Sequence, residues 1–341
     1  MCTAVTYRTK DWYFGRNLDY EYSYEEQVVV TPRNYKFKYR NGTEDACHYA
    51  IIGTAYVVDE YPLYYDATNE YGLSMAGLLF AGNAVYEPWT GEKENVTPFE
   101  LIPYILSSCK NMDEVKKCLK NISIWKENFS EKLPLSPLHW MIADEKNCIV
   151  LENTKDGMAV YDNPINVLTN NPPFPFQMMN LHQYAAISPK NPINSVPENI
   201  SRECCFPTEC YSQGRGGVGL PGDFSSTSRF VKAAFVRNTA VSGETESESV
   251  NQFFHILASV EQVKGCVILE NNTYEKTIYS SCCNAAKGIY YYKTYENSNI
   301  TAVDMRKENL DGDKLIAYPF NRMSSVCAPA PIKSIRSQVA K

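Results

Sequence analysis

The sequence predicts an α+β fold in which two β-sheets are covered by helices on their outer sides. Three observations carry this expectation. Strand and helix patterns come in blocks: strands, two helices, strands, two more helices, strands. Such clustering packs helices onto sheet faces instead of alternating them with parallel strands. The early strands are rich in short apolar side chains, as suits sheets buried beneath helices. No linker or internal repeat divides the 341 residues, so residues 1–341 read as one domain, and 44% hydrophobic residues supply a substantial core.

Residues 2–7 and 12–14 are predicted to pair as a hairpin about Lys10-Asp11. Residues 27–31 form a β-branched strand closed by Pro32, and 36–48 are polar and loop-like. An apolar strand covers 50–58, and Asn69-Glu70-Tyr71-Gly72 turns the chain into another at 73–80. Thr97-Pro98-Phe99-Glu100 combines a cap, a proline at the first helical position and a carboxylate three residues after the cap, which predicts a helix from Pro98 towards Cys109. Asn111 caps the next helix, with Glu114 at the box position and Val115, Cys118 and Leu119 as its buried stripe. Residues 122–137 read as loop. Strands follow at 138–144, 148–152, 159–161 and 167–168. Residues 171–222 are long, irregular and rich in Pro, Gly, Asn and Cys, which marks a functional or subunit-docking segment. Helices are expected at 226–238 and 246–260, strands at 266–270, 274–280, 288–294 and 300–304, and a mobile tail at 328–341.

Composition excludes several classes. The net charge is −6 with no basic block, which argues against a nucleic-acid partner. No apolar run of eighteen residues suggests a membrane span, and no charged start followed by an apolar stretch suggests a secretory signal, so the expected location is the cytoplasm. In that compartment the twelve cysteines are expected as thiols. Their spacing suggests no zinc site. Gly214-Arg215-Gly216-Gly217-Val218-Gly219 fits a dinucleotide-binding pattern, but Pro221 blocks the helix that pattern needs. Asp311-Gly312-Asp313 is too short for a calcium loop, and His139 reads as a core histidine.

The chemistry gathers at the start of the chain. Removing Met1 would leave Cys2 with a thiol and a free α-amine. An unperturbed α-amine titrates at about 7.7–8.0, near operating pH, where a general base works best. Such an amine can activate its own residue's nucleophile. Methionine removal is expected to be the whole of maturation. The hairpin would return Gly15-Arg16-Asn17-Leu18-Asp19 to Cys2, where Arg16 would favour thiolate and Asp19 would accept from the amine or the thiol.

Met1-Cys2-Thr3, Phe14-Gly15-Arg16-Asn17-x-Asp19 and Thr31-Pro32-Arg33-Asn34-Tyr35 resemble the choloylglycine (bile salt) hydrolases and their relatives the penicillin V acylases. The resemblance continues through Asn69-Glu70-Tyr71-Gly72-Leu73, Leu138-His139-Trp140, Val167-Leu168-Thr169-Asn170, Gly219-Leu220-Pro221-Gly222-Asp223-Phe224 and Glu308-Asn309-Leu310-Asp311-Gly312. It implies a four-layer αββα sandwich of the N-terminal nucleophile hydrolase type. It also implies hydrolysis of glycine- or taurine-conjugated bile acids through a thioester on Cys2, without metal or cofactor. A homotetramer assembled partly through a segment corresponding to 171–222 is implied as well.

Residue by residue, the resemblance implies Cys2, Arg16, Asp19, Asn170 and Arg229 as catalytic, with the Asn170 side-chain amide donating to the oxyanion. Leu79 would add its backbone N–H. At that position bile salt hydrolases usually carry Asn and penicillin V acylases Tyr, so Leu79 keeps the donor but loses the marker that separates the two. Leu18, Val58, Tyr65, Phe129 and Leu133 match apolar substrate contacts. Penicillin V or another N-acyl amide stays open as substrate, and so does a silent bile-salt-binding relative, against which the intact catalytic set speaks.

Overall fold

The computed structural model describes residues 1–193 and 212–324. Within them, six strands form one sheet in the order Val167–Leu168, Cys2–Arg8, Trp12–Tyr20, Lys276–Asn284, Ile289–Thr294, Thr301–Asp304. Eight form another in the order Gly157–Asp162, Cys148–Thr154, Leu138–Ala143, Ser74–Leu79, Tyr61–Asn69, Ile51–Val58, Gln27–Thr31, Ile316–Pro319.

Period-two alternation sorts the side chains of the eight-stranded sheet between two cores. Val28, Val30, Ile52, Ala76, Met141 and Val150 pack towards the six-stranded sheet. Their strand neighbours Val29, Ile51, Met75, Ile142 and Ile149 pack under the helices Leu101–Ser108 and Met112–Asn121. The six-stranded sheet is covered by the helices Ser226–Thr239 and Glu246–Ala258, with Phe230, Phe253 and Leu257 buried beneath them. The result is the expected four-layer order of helices, sheet, sheet, helices.

Several local expectations are corrected. The first helix begins at Leu101, not Pro98. A helix from Pro98 would put Pro103 in its interior, where the ring clashes with the preceding turn; starting at Leu101 leaves Pro103 in the first turn, where no N–H is required. The Glu100 carboxylate still accepts from the Thr97 N–H at 3.3 Å, but the Glu100 N–H goes to the Thr97 backbone carbonyl at 3.1 Å and the Thr97 hydroxyl has no partner, so these residues close a turn ahead of the helix without completing the capping box. Residues 122–137 are not all loop, because Ile122–Ile124 pairs in parallel with Glu94–Val96. The strand expected at 266–270 reduces to one bridge between Ile268 and Tyr274. Residues 171–222 contain a helix, Phe174–Leu181. The 214–219 glycines make a turn and a short 3-10 segment, Arg215–Gly217. The remainder of that segment, 194–211, and the expected tail at 328–341 lie outside the described residues. Among the described residues no helix is long and apolar enough to cross a membrane.

Candidate active site

The hairpin places Cys2 opposite Leu18 and Ala4 opposite Arg16. Residues opposite one another share a sheet face, so Cys2, Leu18 and Arg16 look towards the eight-stranded sheet. Asn17 and Asp19 look the other way, towards the helices: Asn17 Nδ2 donates to the Leu257 carbonyl at 3.0 Å. Leu168 pairs with Ala4 on the far edge, which brings Asn170 level with Cys2. Residues from separate parts of the chain thus surround Cys2, which is 4% exposed.

Two buried arginines approach it from opposite faces. On the inner face, Arg16 Nη1 donates to the carbonyls of Gly77 at 2.5 Å and Tyr65 at 2.9 Å, which tie it to the second sheet. Burial works against the Arg16 charge, but Cys2, Tyr279, Asp66 and Asp19 outweigh it and raise the pKa. On the outer face, Arg229 Nη1 donates to the Cys2 carbonyl at 2.6 Å and Thr3 Oγ1 at 2.7 Å. Burial lowers the Arg229 pKa, opposed by Asp19, Cys2 and Glu275.

Asn170 joins the two sides. Its Oδ1 accepts from the Cys2 N–H at 2.7 Å and from Arg229 Nη2 at 2.8 Å. Two donors on that atom fix the amide's orientation, since arginine cannot accept. The amide nitrogen therefore faces Leu79, donating to its carbonyl at 2.8 Å and keeping a second hydrogen. The Phe80 N–H bonds the Pro137 carbonyl at 2.8 Å, so by antiparallel alternation the Leu79 N–H points away from the Leu138–Ala143 strand. The Leu79 N–H and the Asn170 amide accordingly flank the same space.

Asp19 Oδ1 accepts from Thr277 Oγ1 at 2.6 Å, and Oδ2 has no hydrogen-bond partner. Register slips between Thr277 and Tyr279 opposite this point, and such a bulge re-aims side chains. Burial pushes the Asp19 carboxyl up, against the Arg229 charge, the terminal ammonium and the Thr277 bond. Met1 still covers the site: its ammonium donates to the Asp19 carbonyl at 2.7 Å and to the Glu275 carboxylate.

Cys2 lines a cavity of about 360 Å³. That size falls within the range of small-molecule sites. Leu18, Tyr65, Phe129 and Leu133 also line it, together with Tyr24 and Leu135, which sequence reasoning did not single out. Val58 is not among the lining residues; it ends the Ile51–Val58 strand at the hairpin to Tyr61, which separates it from this group. Thr277, Ser226, Asp66 and Glu275 were missed too. Ser226 Oγ accepts from the Asn170 N–H at 2.8 Å. Asp66 accepts from Tyr279 at 2.5 Å and Tyr290 at 2.6 Å across the gap between sheets. None carries a local signal, because each becomes special only through residues more than fifty positions away. His139 is a core histidine as expected, 0% exposed, with Nε2 donating to the Thr169 carbonyl at 2.9 Å, next to Asn170.

A buried cysteine, two fixed cations, neighbouring amide donors and an adjoining apolar cavity are the kinds of group that acyl transfer calls on. The fold is that of the N-terminal nucleophile hydrolases. A model of the family described as "Linear amide C-N hydrolases, choloylglycine hydrolase family" matches residues 2–318. The chain is 52% identical over 320 residues to the bile salt hydrolase/transferase of Lactiplantibacillus plantarum, covering 94% of this chain and 97% of that protein. It is 40% identical to the bile salt hydrolase/transferase of Clostridium perfringens, covering 96% and 99%. The crystal structure of the C2A mutant of the Clostridium perfringens conjugated bile acid hydrolase superposes with TM-score 0.88 at 37% identity, covering 96% of this chain and 99% of that one. A penicillin V acylase from Agrobacterium tumefaciens shares the fold, with TM-score 0.74 at 18% identity, covering 93% and 90%. The protein belongs to the choloylglycine hydrolase family and is an enzyme of the linear amide C–N hydrolase class.

Proposed function

We propose that this enzyme hydrolyses the amide bond of glycine- or taurine-conjugated bile acids, with Cys2 as its N-terminal nucleophile. The observation that carries the reading is the gathering of Arg16, Asp19, Asn170 and Arg229 around Cys2, which with Arg16 and Asp19 lines an apolar cavity. The names of the 52% and 40% identical relatives support the same substrate class. Removal of whatever precedes Cys2 frees the α-amine. That amine takes the thiol proton as Cys2 Sγ attacks the carbonyl carbon. The Leu79 N–H and Asn170 Nδ2 receive the oxyanion, the C–N bond breaks, and the α-amine passes its proton to the departing glycine or taurine. Water, deprotonated by the same amine, then hydrolyses the thioester. Arg16 and Arg229 place fixed positive charge on either side of Cys2 as the sulfur gives up its proton, and Asp19 Oδ2 accepts from the α-ammonium. The cavity takes the steroid body against Leu18, Tyr65, Phe129 and Leu133.

We also infer that the chain works as a single domain, in the cytoplasm and as a homotetramer. Light scattering of the purified protein tests the last of these, and a monomer would overturn it.

The deciding assay compares taurocholate, glycocholate and penicillin V on enzyme whose mass shows Met1 removed. Release of taurine and glycine at rates well above phenoxyacetate release is expected. Phenoxyacetate alone would make the enzyme a penicillin V acylase instead. A variant extended by residues ahead of Cys2 that resist removal is expected to be inactive; full activity would eliminate the N-terminal mechanism.

A further inference from the structure

His139 and Glu152 form a polar couple inside the molecule that the chemistry at Cys2 leaves without a task. They lie on the paired strands Leu138–Ala143 and Cys148–Thr154, and both are buried. His139 takes the strand face of Met141 and Ala143, which belongs to the apolar core between the sheets. Its Nδ1 lies 3.1 Å from Glu152 Oε1, and that oxygen also accepts the Phe174 N–H at 2.9 Å. Its Nε2 faces the Thr169 carbonyl, which can only accept, so Nε2 carries a hydrogen. A buried couple of this kind adds little stability over apolar side chains of the same volume. What it adds is direction, because a hydrogen bond holds one chosen atom in line.

The atoms it holds belong to the neighbours of the two oxyanion donors. The peptide unit between Thr169 and Asn170 is planar, so two bonds at its ends fix it. Its N–H goes to Ser226 Oγ at 2.8 Å, and its carbonyl goes to His139. On the other side, the Phe80 ring lies flat against the imidazole, with centroids 4.3 Å apart and planes 4° apart. Phe80 follows Leu79. One side chain thus touches the residue before Asn170 and the residue after Leu79, although those two segments are about ninety positions apart.

We infer that His139, held by Glu152, is a positioning residue that sets the spacing of the Leu79 N–H and the Asn170 amide. This role rests on the proposed amide hydrolysis, in which those donors receive the oxyanion. His139 is not among the residues that line the cavity with Cys2, so it acts through its neighbours and not on the substrate. Donors aimed at charge that develops only in the transition state work when they are rigidly placed. Loosening them lowers kcat and leaves KM.

Processed full-length enzyme, His139→Leu and His139→Gln are compared on taurocholate. Leucine keeps much of the bulk and removes the donor; glutamine offers an amide N–H near the place of Nε2. Iodoacetamide labelling of the N-terminal peptide, followed by mass spectrometry, counts competent Cys2 thiols, so that kcat is referred to them alone. This alkylation displaces iodide and forms no oxyanion, so its rate reports the thiol without the donors. His139→Leu is expected to lose about tenfold or more in kcat. Its KM and alkylation rate should stay within about twofold of the parent, and His139→Gln should recover part of the kcat. A kcat in His139→Leu within about threefold of the parent overturns the role. So does a loss that appears in KM instead, a matching fall in alkylation rate, or an equal loss in His139→Gln. If His139→Leu does not fold, His139→Asn, too short to reach the Thr169 carbonyl, is judged by the same outcomes. A parent that releases neither taurine from taurocholate nor phenoxyacetate from penicillin V overturns the hydrolase reading, and this role with it.

Discussion

Arg229 Nη1 lies 3.9 Å from Asp19 Oδ2, and both side chains are buried. The two ends come from residues 210 positions apart, one on the hairpin strand and one on the helix Ser226–Thr239. Removing one partner leaves the other as an uncompensated buried charge, which typically costs about 3–5 kcal/mol. Arg229→Met should therefore destabilise the protein by that order in chemical denaturation, and Asp19→Leu added to it should restore part of the loss. Activity should be absent from both. Equal stability of parent and single variant would show that the pair carries no such weight.

Asn170 is expected to matter for rate more than for stability. Losing a single oxyanion donor costs about 10²–10³ in turnover. Asn170→Ala also frees the Cys2 nitrogen and Arg229 Nη2 from their shared acceptor. The kcat of this variant should fall at least that far and its melting temperature should drop modestly because of the two unpaired donors, and a loss of kcat under tenfold would remove Asn170 from the chemistry.

Gly15 separates the hairpin from the next strand without room for a side chain. A Cβ there would stand 2.0 Å from the Ser281 carbonyl oxygen. The neighbour is backbone, so relief requires moving the Lys276–Asn284 strand, and Ser281 Oγ with it, which accepts the Arg16 N–H at 3.1 Å. Gly15→Ala should cost about 1–3 kcal/mol or more, as overpacking does. It should also reduce activity, read as a lower melting temperature together with a lower kcat.

Asp223 gives a prediction in pH. Hydrogen bonds from Ser225 and Ser228 hold its carboxyl down at about 2, against an ordinary value of 3.8. A depressed carboxyl stabilises the fold while ionised, so its contribution is fully present above 3.8 and is lost as pH falls through about 2. The stability gap between parent and Asp223→Asn in urea should be constant at higher pH and shrink across that window. A gap that widened on acidification would contradict the sign.

Much of the architecture was legible from local pattern. Asn111 accepts the Glu114 N–H at 3.1 Å as its spacing required, because a cap is a contact between neighbours. Both helix pairs and the first hairpin were recovered for the same reason. The helix at Leu101 was misplaced by three residues because Thr97–Glu100 has the residue pattern of a capping box, while the structure makes only the bond from the Thr97 N–H to Glu100 and closes a turn; Pro103 bars the earlier start. The strand Ile316–Pro319 went unseen because four residues ending in proline show no alternation, and only its partner Gln27–Thr31 makes it a strand.

Sequence alone determined the helix pairs, the first hairpin and the family, since each is written in contiguous residues. The tertiary structure alone decided that Arg16 and Arg229 flank Cys2 from opposite faces of a sheet, that Asn170 turns its oxygen to Cys2 and its nitrogen to Leu79, and that Val58 stands outside the cavity. The reason is the alternation of a strand: which face a side chain takes depends on pairing register, and register is set by partners far away in the chain.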